Sequence, residues 1–214
     1  MSDPTELTPS GVTRMPMFPL GNVLFPNVLL PLRVFEPRYL ALVRDCLATT
    51  PEFGVVLIER GMEVGGSDVR FSCGTVARIL EVRDLDDGTL LVTCAGTRRI
   101  SVLEWLPDDP YPTAEVVDWP DPDEPDPTDT AATVRRVRSI LARSSEAGDP
   151  VAPATIELAA DATSALWQAC AVAPVSPLDD LALLRAPNAA ERITLFGRML
   201  DDLDHALSYR LGPR

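Results

Sequence analysis

Phe18-Pro-Leu-Gly-Asn-Val-Leu-Phe-Pro26 and, three residues on, Leu29-Leu-Pro-Leu-Arg-Val-Phe-Glu-Pro-Arg-Tyr39 are dense in proline and aromatic residues. Apolar residues fill both stretches, yet the prolines interrupt any helix. A proline lacks the backbone donor a central strand needs, so it belongs at a strand edge or a turn. This pattern predicts short strands with open edges, Met15–Leu20 and Val28–Leu32, rather than one continuous element. Pro37 then fits the first turn of a helix over Pro37–Ala48. In that helix Leu40, Val43 and Leu47 share a face.

Outward from that stretch, residues up to Trp119 read as further strands. Phe53–Glu59 is a compact β-rich run, and Gly74–Val82 alternates in the manner of a strand. Asp86-Asp87-Gly88 is a turn signal joining Gly74–Val82 to Thr89–Ala95. Arg99–Trp105 and Thr113–Val117 complete the set. Many short strands with one inserted helix predict a closed or half-closed barrel.

From Trp119 to Thr128 the chain carries four prolines and four acids in ten residues. Such a run neither continues a sheet nor builds a core, and it reads as a solvated linker stiffened by proline and extended by charge repulsion. Helical periodicity then takes over. It predicts helices over Asp129–Ser144 and Ala154–Cys170. A third, capped at Ser176-Pro177, carries Leu178, Leu181 and Leu184. The longest opens at Asn188, with Ile193, Phe196, Leu200, Leu203 and Leu207 as its core stripe. The organisation expected is a loose tail over 1–14, a β unit over 15–119, a linker over 120–128 and a helical bundle over 129–214.

Composition narrows the chemistry. The chain has 214 residues and a formal net charge of −13, which opposes non-specific nucleic-acid binding and docking on anionic membranes. No run reaches the roughly 20 apolar residues of a membrane span. The N-terminal 14 residues lack the basic start and apolar core of a secretory signal, so a cytoplasmic protein is expected. All 19 basic residues are arginine. A P-loop, a serine–lysine dyad and a Schiff base each need lysine, which arginine does not replace. Cys46, Cys73, Cys94 and Cys170 are scattered without a CxxC pair and read as buried reduced thiols. With His205 as the only histidine, no metal centre and no cofactor is expected. Gly65-Gly66 reads as a loop tip, since no basic helix start follows it.

Several ordered motifs together resemble the N-terminal substrate-binding domain of Lon proteases. They are Phe-Pro-Leu, Val-Leu-Phe-Pro, Leu-Pro-Leu and Phe-Glu-Pro-Arg-Tyr, then Phe53-Gly-Val-Val-Leu-Ile and Gly74-Thr-Val-Ala-Arg-Ile. Asp87-Gly88, Gly96-Thr-Arg-Arg-Ile and Tyr111-Pro112 continue the series. The resemblance implies an α+β fold, a PUA-like β pseudobarrel followed by an α-helical bundle. It implies a non-catalytic module that recognises unfolded or partly folded protein segments, or a partner protein, in support of proteolysis. No catalytic residue carries over, because the ATPase and peptidase parts of Lon have no counterpart in the 214 residues. The binding residues expected from the motif are Phe25, Leu29, Phe35, Arg38 and Tyr39. Arg38 would offer its fork of donors to a backbone or terminal carboxylate.

Two other functions are compatible with parts of the sequence. PUA-like folds can bind RNA, and Arg70, Arg78, Arg83, Arg98 and Arg99 would then form a local basic face. A small-molecule or enzyme site would need convergent polar groups in a concave pocket, and the sequence shows none.

Overall fold

A computed structural model describes residues 11–60 and 69–212. Six strands form one mixed sheet in the order β2-β5-β4-β3-β1-β6. The strands are β1 (Thr13–Leu20), β2 (Leu29–Val34), β3 (Glu52–Arg60), β4 (Val69–Asp84), β5 (Leu90–Leu106) and β6 (Thr113–Asp118). β1 runs parallel to β3, and every other pairing is antiparallel. The second half of β5 also pairs with β6, from Ile100↔Asp118 to Leu106↔Thr113. That pairing closes β5, β4, β3, β1 and β6 into a ring and leaves β2 attached by one side, to the first half of β5.

The predicted strands Thr89–Ala95 and Arg99–Trp105 are one element, β5. Gly96 allows this. Its N–H donates to the Val28 carbonyl and its own carbonyl accepts from Asn27 N–H. Asn27 sits at φ 60, so Asn27 and Val28 together oppose the single residue Gly96, a bulge that turns the chain into β2. The Asp86–Gly88 turn is present. Gly88, at φ 78, donates to the Leu85 carbonyl. The tail expected over 1–14 ends sooner than read, because Thr13 and Arg14 pair with Val116 and Glu115 of β6. Residues 1–10 and the Gly65-Gly66 pair lie outside the described residues.

Helix α1 (Pro37–Ala48) buries Tyr39, Leu42, Val43 and Cys46 rather than the expected Leu40–Val43–Leu47 face. Leu47 is exposed. The face turns because Phe18, Phe53 and Val34 offer their apolar surface to Tyr39 and Cys46 in one cluster.

Four helices follow β6. They are α2 (Pro127–Glu146), α3 (Ala162–Val172), α4 (Pro177–Arg185) and α5 (Ala189–Leu211). Side-chain caps set their starts: Asp126 for α2, Asp161 for α3, a full Ser176/Asp179 capping box for α4 and Asn188 for α5. Helix α3 begins eight residues later than Ala154, at Ala162. Side chains take up backbone groups of the preceding segment: Gln168 Oε1 accepts from the Ala159 N–H, and Arg138 Nη2 donates to the Ile156 carbonyl. Leu178 is exposed, and Leu183 takes its place in the buried face of α4.

One apolar cluster spans strands and helices. It joins Phe25, Leu57 and Cys73 to Trp167, Leu183, Phe196 and Leu200. The acidic proline run is not a freely solvated spacer. Pro125 is buried, Asp126 caps α2, and Asp121 binds two buried arginines. Arg99 of β5 reaches its Oδ1 at 2.5 Å, and Arg192 of α5 grips both oxygens at 2.9 Å. Charge repulsion does not extend this segment because guanidinium groups neutralise its key carboxylate.

Candidate functional site

The end of β1, the end of β2 and the start of α1 enclose a groove of about 440 Å³. Its floor is aromatic. The Phe18 and Tyr39 rings stack at 4.1 Å with an interplanar angle of 16°, and Phe53 lies 5.8 Å from Phe18. Phe35 stands on the rim at 67% exposure. This phenyl ring lies in water at the lip of the groove.

Arg38 completes the rim. Its guanidinium lies 4.6 Å from the centre of the Tyr39 ring, and its Nε donates to Glu36 Oε2 at 3.0 Å. Glu36 is the N-cap residue of α1, but its carboxylate makes no cap bond. Instead it binds Arg38, whose side chain lines the groove.

The edge of β2 runs beside the groove. Gly96 pairs with Val28, so alternation along an antiparallel ladder turns Leu30, Leu32 and Val34 toward β5. Leu29, Pro31 and Arg33 therefore direct their backbone groups to the open side. Pro31 has no donor there, which fits proline to an edge strand. Donors on this edge are confined to Leu29 and Arg33.

The five residues expected at the site thus divide. Phe35, Arg38 and Tyr39 come together at one groove, Tyr39 as its buried floor. Leu29, 64% exposed, projects from the far end of β2 and does not line it. Phe25 is 1% exposed and packs on Trp167 at 5.6 Å. It belongs to the core between sheet and helices, out of a partner's reach. Sequence reasoning missed Phe18 as the groove floor, although it stands in the same Phe-Pro-Leu motif.

The proposed basic face breaks up into ion pairs. Arg70 binds Asp108 through two contacts. Arg78 and Arg98 share Glu52, Arg98 also reaches Asp118, Arg83 binds Glu81, and Arg99 binds Asp121. Burial opposes ionisation of Glu52, but hydrogen bonds from Arg98 and Arg78 overcome it and hold the carboxyl below its usual range. Arginines neutralised in this way leave little charge for phosphates.

All four cysteines are free and buried. Burial raises the Cys46 and Cys94 thiols to about 12 and Cys73 to about 11. Thiols held protonated are poor nucleophiles. His205 is exposed, with Nδ1 against the Asp201 carbonyl. Among the described residues no group of three metal-ligating side chains exists, and no helix is long and apolar enough to cross a membrane.

Fold and groove define an α+β module offering an apolar recess and a strand edge. The family model for the ATP-dependent protease La (LON) substrate-binding domain matches residues 14–202, and the chain belongs to that family. A crystal structure of a Lon N-terminal domain protein from Xanthomonas campestris superposes with a TM-score of 0.62 at 31% identity, covering 85% of this chain and 95% of that one. The N-terminal domain of Mycobacterium avium complex Lon protease gives the same TM-score at 17% identity, over 89% and 99%, and shows the shared fold. Lon protease from Flavobacterium johnsoniae is 36% identical over 121 residues, 55% of this chain and 15% of that protein. Lon protease 2 from Herpetosiphon aurantiacus is 29% identical over 140 residues, 64% and 17%. The chain therefore spans about a sixth of the length of these curated relatives.

Proposed function

We propose that the chain is a non-catalytic module, a PUA-like pseudobarrel with a docked helical bundle, that binds extended apolar segments of unfolded or partly folded proteins in the cytoplasm and so assists proteolysis. The observation that carries this reading is Phe35, two-thirds exposed on an aromatic-floored groove beside the open edge of β2. Phe35 supplies an apolar anchor, Arg38 supplies donors to a carbonyl or carboxylate, and the Leu29 and Arg33 amides supply strand pairing. Selectivity of such a site is loose, because backbone bonds carry no side-chain information. Four unpaired cysteines favour a reducing compartment.

The test is titration of the full chain into a fluorescently labelled, reduced and carboxymethylated protein, followed by anisotropy. Saturable binding that the natively folded form of the same protein fails to compete is expected. Equal competition by the folded form would remove the reading. Salt-sensitive binding to a single-stranded RNA oligomer, with none to the unfolded protein, would favour the RNA alternative. No ATP hydrolysis or peptide cleavage above a buffer blank is expected.

A further inference from the structure

A second concavity lies on the helical side. It occupies about 420 Å³ between the first turns of α2 and the segment leading into α3, within the range of small-ligand sites. Its wall is apolar and small: Ala131, Val134, Leu158, Ala159 and Ala165. The surroundings are not neutral, since Arg135 and Arg138 line the same pocket.

These two arginines stand apart from most others in the chain. The acids outnumber the bases by 32 to 19, and many arginines elsewhere are paired with carboxylates, as on β4 and β5, although Arg14, Arg44, Arg185 and Arg198 make no ion pair among the described residues. Neither Arg135 nor Arg138 has a carboxylate within ion-pair distance among the described residues. Arg138 Nη2 donates to the Ile156 carbonyl at 3.1 Å, which holds its fork against the pocket wall. Three residues apart on α2, the two guanidinium groups share one side of the helix.

A third polar group borders the pocket. Thr130 is 3% exposed, lines the pocket and keeps its hydroxyl buried without a hydrogen-bond partner. Thr133, on the next turn, donates to the Asp129 carbonyl in the usual manner. The Thr130 hydroxyl lies beneath the surface, so it adds nothing to the polarity a ligand would meet. The N-termini of α2 and α3 also open here, but the Asp126 and Asp161 carboxylates already satisfy their amides. Among the lining residues the cationic groups are Arg135 and Arg138, while the nearby Asp126 and Asp161 carboxylates are engaged by helix amides.

We infer that this pocket binds a free aliphatic carboxylate, its tail against the alanine-rich wall and its carboxylate on Arg135 and Arg138. Small side chains leave width for an unbranched or singly branched tail. Guanidinium groups favour a planar carboxylate over a neutral head group.

The test uses the full chain and sodium hexanoate, followed by titration calorimetry and by chemical-shift changes of the pocket alanines. Saturable binding is expected, with hexanol at least about tenfold weaker. Arg135→Gln and Arg138→Gln, both at exposed positions, should each weaken hexanoate about fivefold or more with the melting temperature unchanged. Arg136→Gln on the same helix is the control and should leave hexanoate binding as it was. Equal binding of hexanol and hexanoate, or indifference to both arginine changes, would overturn the inference. So would binding of acetyl-trialanine with a free carboxylate in the absence of hexanoate binding, since the pocket would then read a peptide terminus. The groove at Phe35 takes no part, so Phe35→Ala should not alter the hexanoate titration.

Discussion

Asp121 holds Arg192 in a two-pronged ion pair, Oδ2 accepting from Nη1 and Oδ1 from Nη2, each at 2.9 Å. Arg192 is 1% exposed and lies 3.6 Å from the centre of the Trp167 ring. The same Oδ1 accepts from Arg99, which is 3% exposed and also donates to the Leu184 and Ala186 carbonyls. One carboxylate from the proline-rich segment thus ties β5 to α5. Removing it leaves two buried cations facing each other. Asp121→Ala should cost about 3–5 kcal/mol, the usual penalty for breaking a buried pair from one side. Urea unfolding followed by tryptophan fluorescence measures this directly, since Trp119 and Trp167 flank the clamp. A loss below about 1 kcal/mol would mean that the clamp is solvated in solution.

Much of the β half was legible in the sequence because period-two alternation and proline punctuation are local. Pro31 announces an edge strand, and Pro37 a helix start, without knowledge of any neighbour. The clamp was not legible. Arg99, Asp121 and Arg192 are separated by 22 and 71 residues, and nothing in a proline–aspartate run says which carboxylate will be buried. Phe25 and Phe35 show the same limit at the groove. Both follow β-like apolar residues in one motif, yet Phe25 is covered by Trp167 from α3 and Phe35 by nothing. Only the tertiary placement of α3 separates core from surface there.

Gly96 occupies a position where a side chain cannot fit. A Cβ at this residue would collide with the Phe25 carbonyl oxygen and press on Leu24. Both contacts are with the loop that turns into β2, and the Asn27–Gly96–Val28 hydrogen bonds fix that loop in place. Gly96→Ala should therefore destabilise the fold by roughly 1–3 kcal/mol, as overpacking does. Thermal denaturation of Gly96→Ala beside Gly88→Ala checks the cause. Gly88, with open space at its Cβ but φ 78, should lose stability through backbone strain alone and by less.

Asp180, in the first turn of α4, is raised from 3.8 to about 7, by burial first and by neighbouring Asp179 second. Its Oδ1 is buried without a partner. A carboxyl whose folded value lies above its unfolded one binds its proton more tightly in the fold. Its penalty is absent below about pH 4, grows as pH rises toward 7 and is complete above it. Asp180→Asn should remove that part of the pH dependence. The variant should be more stable than the parent at pH 8 and differ little at pH 4. Denaturation midpoints at the two pH values test it; an equal shift at both would assign the change to packing rather than to charge.

Phe35 and Tyr39 lie four residues apart at one groove, yet they should respond differently to truncation. Phe35, two-thirds exposed, contributes little to the core, whereas Tyr39 is 6% exposed and stacks on Phe18. Tyr39→Ala should lower stability by about 3–5 kcal/mol, as for a large buried aromatic. Phe35→Ala should leave the melting temperature nearly unchanged and weaken binding of an unfolded protein by about 1–2 kcal/mol, roughly tenfold. Arg38→Ala should weaken binding as well, with Glu36 then free to cap α1 and to repel a client carboxylate. Pro31→Thr probes the strand edge independently. It restores a donor on the open side of β2 between Leu29 and Arg33, so tighter binding and a greater tendency to self-associate are expected together. Anisotropy titrations of the four variants, with sedimentation to follow association, give the comparison. Unchanged binding in Phe35→Ala, Arg38→Ala and Pro31→Thr would take both groove and edge out of the recognition surface.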